Sequence, residues 1–172
     1  DKVLFPRMAP TNDGESAAKM YQYWANFYGD PTFADNISYF FNYQFSFMYM
    51  RYFMWNFAGR QDDYQGTFEN QKMNGDWLTG ISVVDNARLG SQVGLPKQIA
   101  DQKARNTYYL LPLLFGLFGL SYMMQRNKQY AIVFGLLFLI TGLFLIIYFN
   151  SPPREPRERD YALVGSFYVF AL

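Results

Sequence analysis

Two apolar runs dominate the pattern of the chain. The first extends from Thr107 to Met124, the second from Tyr130 to Phe149. The second holds fourteen Leu, Ile, Val or Phe residues and no charge. Its length matches the ~20 residues that cross a hydrocarbon core of roughly 30 Å, and the first run is near the short end of that range. At about −0.3 to −0.6 kcal/mol for each such residue, the second run alone supplies roughly −4 to −8 kcal/mol of insertion energy. Only Gln125-Arg126-Asn127-Lys128-Gln129 separates the runs, so the pattern predicts an antiparallel helical hairpin over 107–149. Tyr108, Tyr109 and Tyr122 flank the first run, and Tyr130 and Tyr148 the second, as in an interfacial aromatic belt. The alternative is a hairpin buried in a large soluble protein, where adjacent uncharged runs of this length are rare. Gly116 and Gly119 on the first helix, and Gly135 and Gly142 one heptad apart on the second, predict close helix contact.

The other segments are read against that hairpin. Residues 1–30 form a polar loop broken by Pro6, Pro10 and Gly14, then a short amphipathic helix from Ser16 to Tyr28, stopped by Gly29. Residues 31–59 form an aromatic helix. Thr32-Phe33-Ala34-Asp35 is a capping box, and Gly59 serves as the C-terminal stop. On a 3.6-residue wheel, Asp35, Ser38, Asn42, Ser46, Tyr49 and Asn56 fall on one stripe, with Gln44 and Arg51 opposite. Such a helix lies in the membrane interface or spans with its stripe toward other helices. The recurrence of polar groups along its length favours the interface. Residues 60–106 are a polar connector, with a short helix expected at Lys97 to Arg105. Residues 150–160 are a membrane-proximal loop rich in Pro and Arg, and 161–172 begin a further apolar helix. The fold class expected is all-α, with polytopic membrane helices and an interfacial aromatic helix. Asp1 at the start and the helix that stops at Leu172 mark the chain as a fragment of a longer protein.

Composition narrows the chemistry. The 172 residues include no Cys and no His, which removes thiolate chemistry and the commonest general base and zinc ligand. The net charge of +1 gives no support for nucleic-acid binding. Aromatics reach 21% of residues and concentrate between Tyr21 and Phe57 and at the ends of the apolar runs, which suits a boundary between water and lipid.

Candidate chemistry sits in three places. Arg51, alone on an aromatic helix, either snorkels to headgroups or contacts an anion such as a lipid phosphate. In the cluster Arg60-Gln61-Asp62-Asp63, the paired carboxylates beside an Arg either bind a sugar or a divalent metal or form a solvated turn. Trp77 follows the turn Asn74-Gly75-Asp76 and either stacks on a sugar or sits at the interface. In the Pro/Arg loop, Arg154, Arg157 and Arg159 alternate with acids up to Asp160. They read equally as local ion pairs or as a phosphate clamp. No metal site and no catalytic residue is evident.

The stretches RYFMWNFAGRQDDYQG, NGDWLTGI, ARNTYYLLPLLFGLFGL and PREPRERDYALVGSFYVFA, with FPRM near the start, resemble large bacterial multi-spanning proteins catalogued as domain of unknown function 2723. That family is similar to protein O-mannosyltransferases and other glycosyltransferases of the polytopic C-type fold. The resemblance implies an inner-membrane enzyme that moves a sugar from a polyprenyl-phosphate donor onto a protein hydroxyl. It implies partners in the lipid bilayer, the donor, a protein acceptor and other membrane subunits. Arg51, Arg60, Arg154, Arg157 and Arg159 become candidates for donor phosphate, and Asp62, Asp63, Trp77 and Asp160 for sugar. The family's catalytic carboxylate lies upstream of this stretch. The side implied to face outward carries Lys97, Lys103, Arg105, Arg154, Arg157 and Arg159, against Arg126 and Lys128 at the hairpin tip. The positive-inside rule puts that richer side in the cytoplasm. A scaffolding subunit of an envelope complex and a transporter for lipid-linked sugars are the alternatives.

Overall fold

A helix as aromatic as 33–57 must cover its rings on more than one side, and the fold is built around that need. The computed structural model describes residues 7–8, 15–64, 74–153 and 160–172. The described chain is all-α apart from one two-stranded ladder. In order come α1 (Glu15–Ala25), α2 (33–57), β1 (Gly59–Arg60), α3 (Ser82–Leu89), α4 (Lys97–Ala100), β2 (Asn106–Thr107), α5 (Leu111–Arg126), α6 (Lys128–Phe149) and α7 (Asp160–Ala171).

Helix α1 ends three residues before the expected Tyr28. Asn26 turns left-handed at φ 57°, and its N–H returns to Gln22 O at 2.8 Å. Helix α2 starts where the sequence places it. The Thr32 N–H donates to Asp35 Oδ2 at 2.7 Å, and Thr32 Oγ1 accepts from the Asp35 N–H at 3.4 Å. This reciprocal box satisfies two donors that a helix start leaves open.

The middle of α2 departs from the pattern. Phe40–Met50 is π-helical, with the wider i→i+5 turn, so a 3.6-residue wheel loses phase across it. The expected single polar stripe is therefore split. Ser38 Oγ and Asn42 Nδ2 donate to Ala25 O and Trp24 O of α1, both at 3.0 Å. Tyr49 turns elsewhere, its hydroxyl donating to Ser166 Oγ of α7 at 3.2 Å. Two apolar clusters result. One joins α1 to α2 through Tyr21, Trp24, Tyr39 and Tyr43; the other joins α2 to α6 and α7 through Phe40, Tyr49, Ile146 and Leu163.

This packing also sets the course of α2 relative to α6. Gln44 Nε2 donates to Asn150 Oδ1 at 2.9 Å, Tyr49 fits against Gly142, and Phe53 meets Phe138 edge-on with ring centroids 6.0 Å apart. Helix α2 thus runs antiparallel along α6 instead of lying across its end. Arg7 closes the near end: its N–H donates to Asn36 Oδ1 at 2.8 Å, and Nη1 donates to Ile147 O, also at 2.8 Å. That carbonyl is one of the last four of α6, which have no partner within the helix.

The hairpin is tighter and less symmetric than expected. Asn127 alone joins α5 to α6. Helix α6 is the one described helix long and apolar enough to cross a membrane, at 22 residues and mean hydropathy 2.8. Helix α5 has only 16 residues, because Tyr109 and Leu110 adopt positive φ (54° and 60°) just before it. The backbone there is held by the connector: the Tyr108 N–H donates to Ala58 O and the Tyr109 N–H to Thr79 O. Of the four glycines expected to mediate contact, Gly116 faces the Phe170 ring and Gly142 the Tyr49 ring, while Gly119 and Gly135 face open space. A π-helical turn at Ile140–Phe144 separates Gly135 from Gly142 and breaks their heptad phase.

Candidate functional site

The connector folds back on itself beneath the end of α2. Gly59–Arg60 pairs antiparallel with Asn106–Thr107, and Arg60 bridges Trp77 on its other side. The Leu78 N–H donates to Gly59 O at 3.0 Å and the Gln61 N–H to Asp76 O at 2.9 Å. Three extended segments therefore lie side by side, with 59–61 in the centre. This closure brings Arg51, Arg60, Asp62, Trp77 and Arg105 into one neighbourhood.

Arg51 is inside, at 5% exposure, which replaces the snorkelling reading. Its Nε donates to Phe47 O at 3.0 Å and its Nη1 to Gly75 O at 2.5 Å. Its guanidinium carbon lies 4.2, 4.8 and 5.4 Å from the ring centres of Phe47, Tyr52 and Trp55. Arg60 approaches the Trp55 ring at 5.6 Å, so two guanidinium groups attend one indole.

Asp62 is 1% exposed. Its Oδ1 accepts from the Gly75 N–H at 2.8 Å and from the Tyr64 N–H at 3.1 Å. Burial pushes its carboxyl above the usual range, against the pull of those N–H donors; Asp63 adds to the rise and Arg105 opposes it. An acid whose pKa is raised on folding binds its proton more tightly in the native state. Its stabilising contribution is complete below the unfolded value of 3.8 and is lost as pH rises through the folded value. The wild-type melting temperature minus that of Asp62→Asn is accordingly expected to fall as pH is raised from about 4 toward neutrality. A difference that stays flat across this interval would refute the assignment. Asp63, by contrast, is exposed.

Trp77 does not present both faces. The Arg88 guanidinium carbon sits 3.5 Å from its ring centre, Arg88 Nη1 bridges Asp76 Oδ2 at 2.6 Å, and Arg88 Nη2 donates to Trp77 O. Below it, the buried Asp85 holds the next turn. Its Oδ1 accepts from the Thr79 N–H and hydroxyl, each at 2.9 Å, and its Oδ2 from the Gly80 N–H at 2.7 Å.

Buried donors and acceptors are both left over here, Gln102 Oε1 among the acceptors. Trp55 Nε1, Arg60 Nε, Arg88 Nε and Arg105 Nη1 are buried without a hydrogen-bond acceptor, although Arg105 Nη2 reaches Gln92 Oε1 at 2.8 Å. Orphaned buried donors are uncommon and call for an explanation. Among the described residues no three Asp or Glu side chains gather as a metal site would require.

The sequence candidates thus divide. Arg51, Arg60, Asp62 and Trp77 converge, with Asp63 at the exposed edge. Asp160 opens α7, and Arg154, Arg157 and Arg159 lie outside the described residues. Sequence reasoning misses Asp85, Arg88 and Arg105. Only Asp85 carries a visible signal, an acid in the first turn of a short helix after Thr79-Gly80. The chain matches no protein-family profile, and no curated protein or solved structure is similar to it.

Proposed function

We propose that this chain is a lipid-embedded segment of a glycosyltransferase-like membrane protein, and that the connector beneath α2 receives the phosphate of a polyprenyl-phosphate sugar donor. The observation that carries the reading is the group of buried N–H donors left without an acceptor at Trp55, Arg60 and Arg105. A phosphate brings several acceptor oxygens and a charge suited to guanidinium groups. The apolar surface supports the lipid part. Leu114, Phe115 and Phe118 of α5, Ile132 and Phe144 of α6, and Val164 of α7 are exposed within this chain, and large apolar side chains exposed in this number are rare on a soluble monomer. The resemblance to the inner-membrane family with this chemistry supplies the sugar donor and the protein hydroxyl as acceptor. The residues here hold the leaving phosphate as negative charge develops on it; the proton-abstracting carboxylate belongs elsewhere in the parent protein.

The test uses the full-length protein in membranes. Arg60→Gln is expected to weaken donor binding about tenfold, the loss of one charge-assisted hydrogen bond. Trp55→Phe removes the indole N–H and is expected to weaken it severalfold without unfolding. The pair Arg157→Ala and Arg159→Ala tests the Pro/Arg loop in the same transfer assay. Donor binding and sugar transfer unchanged in all of these would end the reading. A scaffolding subunit is the second reading, favoured by the inward use of Arg51, Asp85 and Arg88 for holding backbone.

A further inference from the structure

The tip of the hairpin carries a second feature. Between α5 and α6 lies a groove of about 430 Å³ lined by Leu120, Met124, Lys128, Ala131, Ile132 and Gly135. Its volume falls within the range of ligand pockets, roughly 300–1,000 Å³. Gly135 keeps it open, since a Cβ there would meet nothing within 4 Å. Lys128 is its only charged lining residue. From Leu111 to Phe149 the charged residues are Arg126 and Lys128 alone, with no acid. The first turn of α6, which begins at Lys128, receives no side-chain cap, so N–H groups stay open at that end.

We infer that this groove binds one anionic phospholipid, its acyl chain along Leu120, Ile132 and Gly135 and its phosphate at Lys128 and the start of α6. The occupant follows from charge complementarity. A neutral chain suits the apolar walls. Two cations in a stretch without an acid, beside an uncapped helix start, select a headgroup that keeps a net negative charge. Arg126, stacked near Tyr122 at 5.8 Å, adds field at the rim. The inference rests on the lipid-embedded reading above but is separate from the donor site beneath α2.

The experiment titrates phosphatidylglycerol and phosphatidylcholine onto the full-length protein in detergent micelles and reads bound lipid by native mass spectrometry. Phosphatidylglycerol is expected to bind more tightly. Lys128→Gln is expected to lower its affinity about fivefold and leave phosphatidylcholine unchanged, since one basic residue near an anionic surface is worth about that factor. Gly135→Leu is expected to lower both about fourfold, by displacing roughly one buried methylene. Unchanged melting temperatures for both variants exclude misfolding as the cause. Equal binding of the two lipids, or affinities that neither variant alters, would overturn the site. So would a photo-crosslinker at position 135 that labels polypeptide and no lipid. Release of the protein from membranes by carbonate would sink the lipid-embedded reading and this site with it; retention in the membrane without lipid preference would sink the site alone.

Discussion

Gly59→Ala is expected to destabilise the protein by about 4 kcal/mol, far more than one added methyl usually costs. Gly59 has φ +120°, a conformation that L side chains rarely adopt. The methyl would also run into Leu78 O, stand 2.7 Å from Asn106 O and 3.0 Å from Thr107 Cα. These are backbone atoms of the two segments that flank 59–61, so no side chain can swing away to make room. The pairing of Gly59 with Thr107 and the bond from Leu78 N–H to Gly59 O would have to open together. Gly90→Ala is the control. Gly90 has φ +87°, but a methyl added there would meet nothing within 4 Å, so only backbone strain of about 1–3 kcal/mol applies. Denaturant unfolding of both variants separates the terms. Equal losses would show that crowding at the connector contributes nothing.

Gly59 also shows what the chain made legible. A glycine after a long aromatic run reads as a helix stop, and the helix does end there. Its second duty, passing between two carbonyls, depends on Leu78 and Asn106, which are distant in sequence. The capping box at Thr32 and Asp35 was visible because both partners lie within one turn. The hydrophobic extent of α6 was visible because composition alone sets it. The face of α2 was not. Periodicity assigns a face only at a known pitch, and the π-helical turns at Phe40–Met50 moved Tyr49 away from Ser38 and Asn42. Helix α3 escaped notice because Ser82–Leu89 has two β-branched valines and a single turn or two of length; Asp85 stabilises it through tertiary hydrogen bonds to Thr79 and Gly80. The expected helix from Lys97 to Arg105 shrank to Lys97–Ala100, since Asn106 is drawn into the ladder. The candidate site was legible as a set of residue types, and Arg60, Asp62 and Trp77 do come together. Their neighbours Arg88 and Arg105 arrive through chain closure, which no local motif announces.

Arg51→Ala is expected to cost about 3–4 kcal/mol, in line with removing a buried, hydrogen-bonded charge. The side chain performs two tasks at once. Its stem and guanidinium fill the space among Phe47, Tyr52 and Trp55, and its Nη1 carries a bond to Gly75 O. The N–H of the same Gly75 donates to Asp62. One residue, through its two flanking peptide groups, therefore links the cation on α2 to the buried carboxylate of the connector, each charge strengthening the hydrogen bond at its own end. Arg51→Met keeps much of the apolar volume and loses the donors, so it isolates the second task; about 2 kcal/mol is expected. Arg51→Lys cannot reproduce the planar stacking or the paired donors and should resemble Met more than Arg. Amide hydrogen exchange distinguishes a local pin from a general loss of stability. In Arg51→Met, exchange at Gly75, Gln61 and Tyr64 should quicken while Gly90 and Asn127, which close helices elsewhere, keep their protection. Uniform acceleration at all five amides would mean that Arg51 supports the aromatic helix as packing alone and does not hold the connector to it.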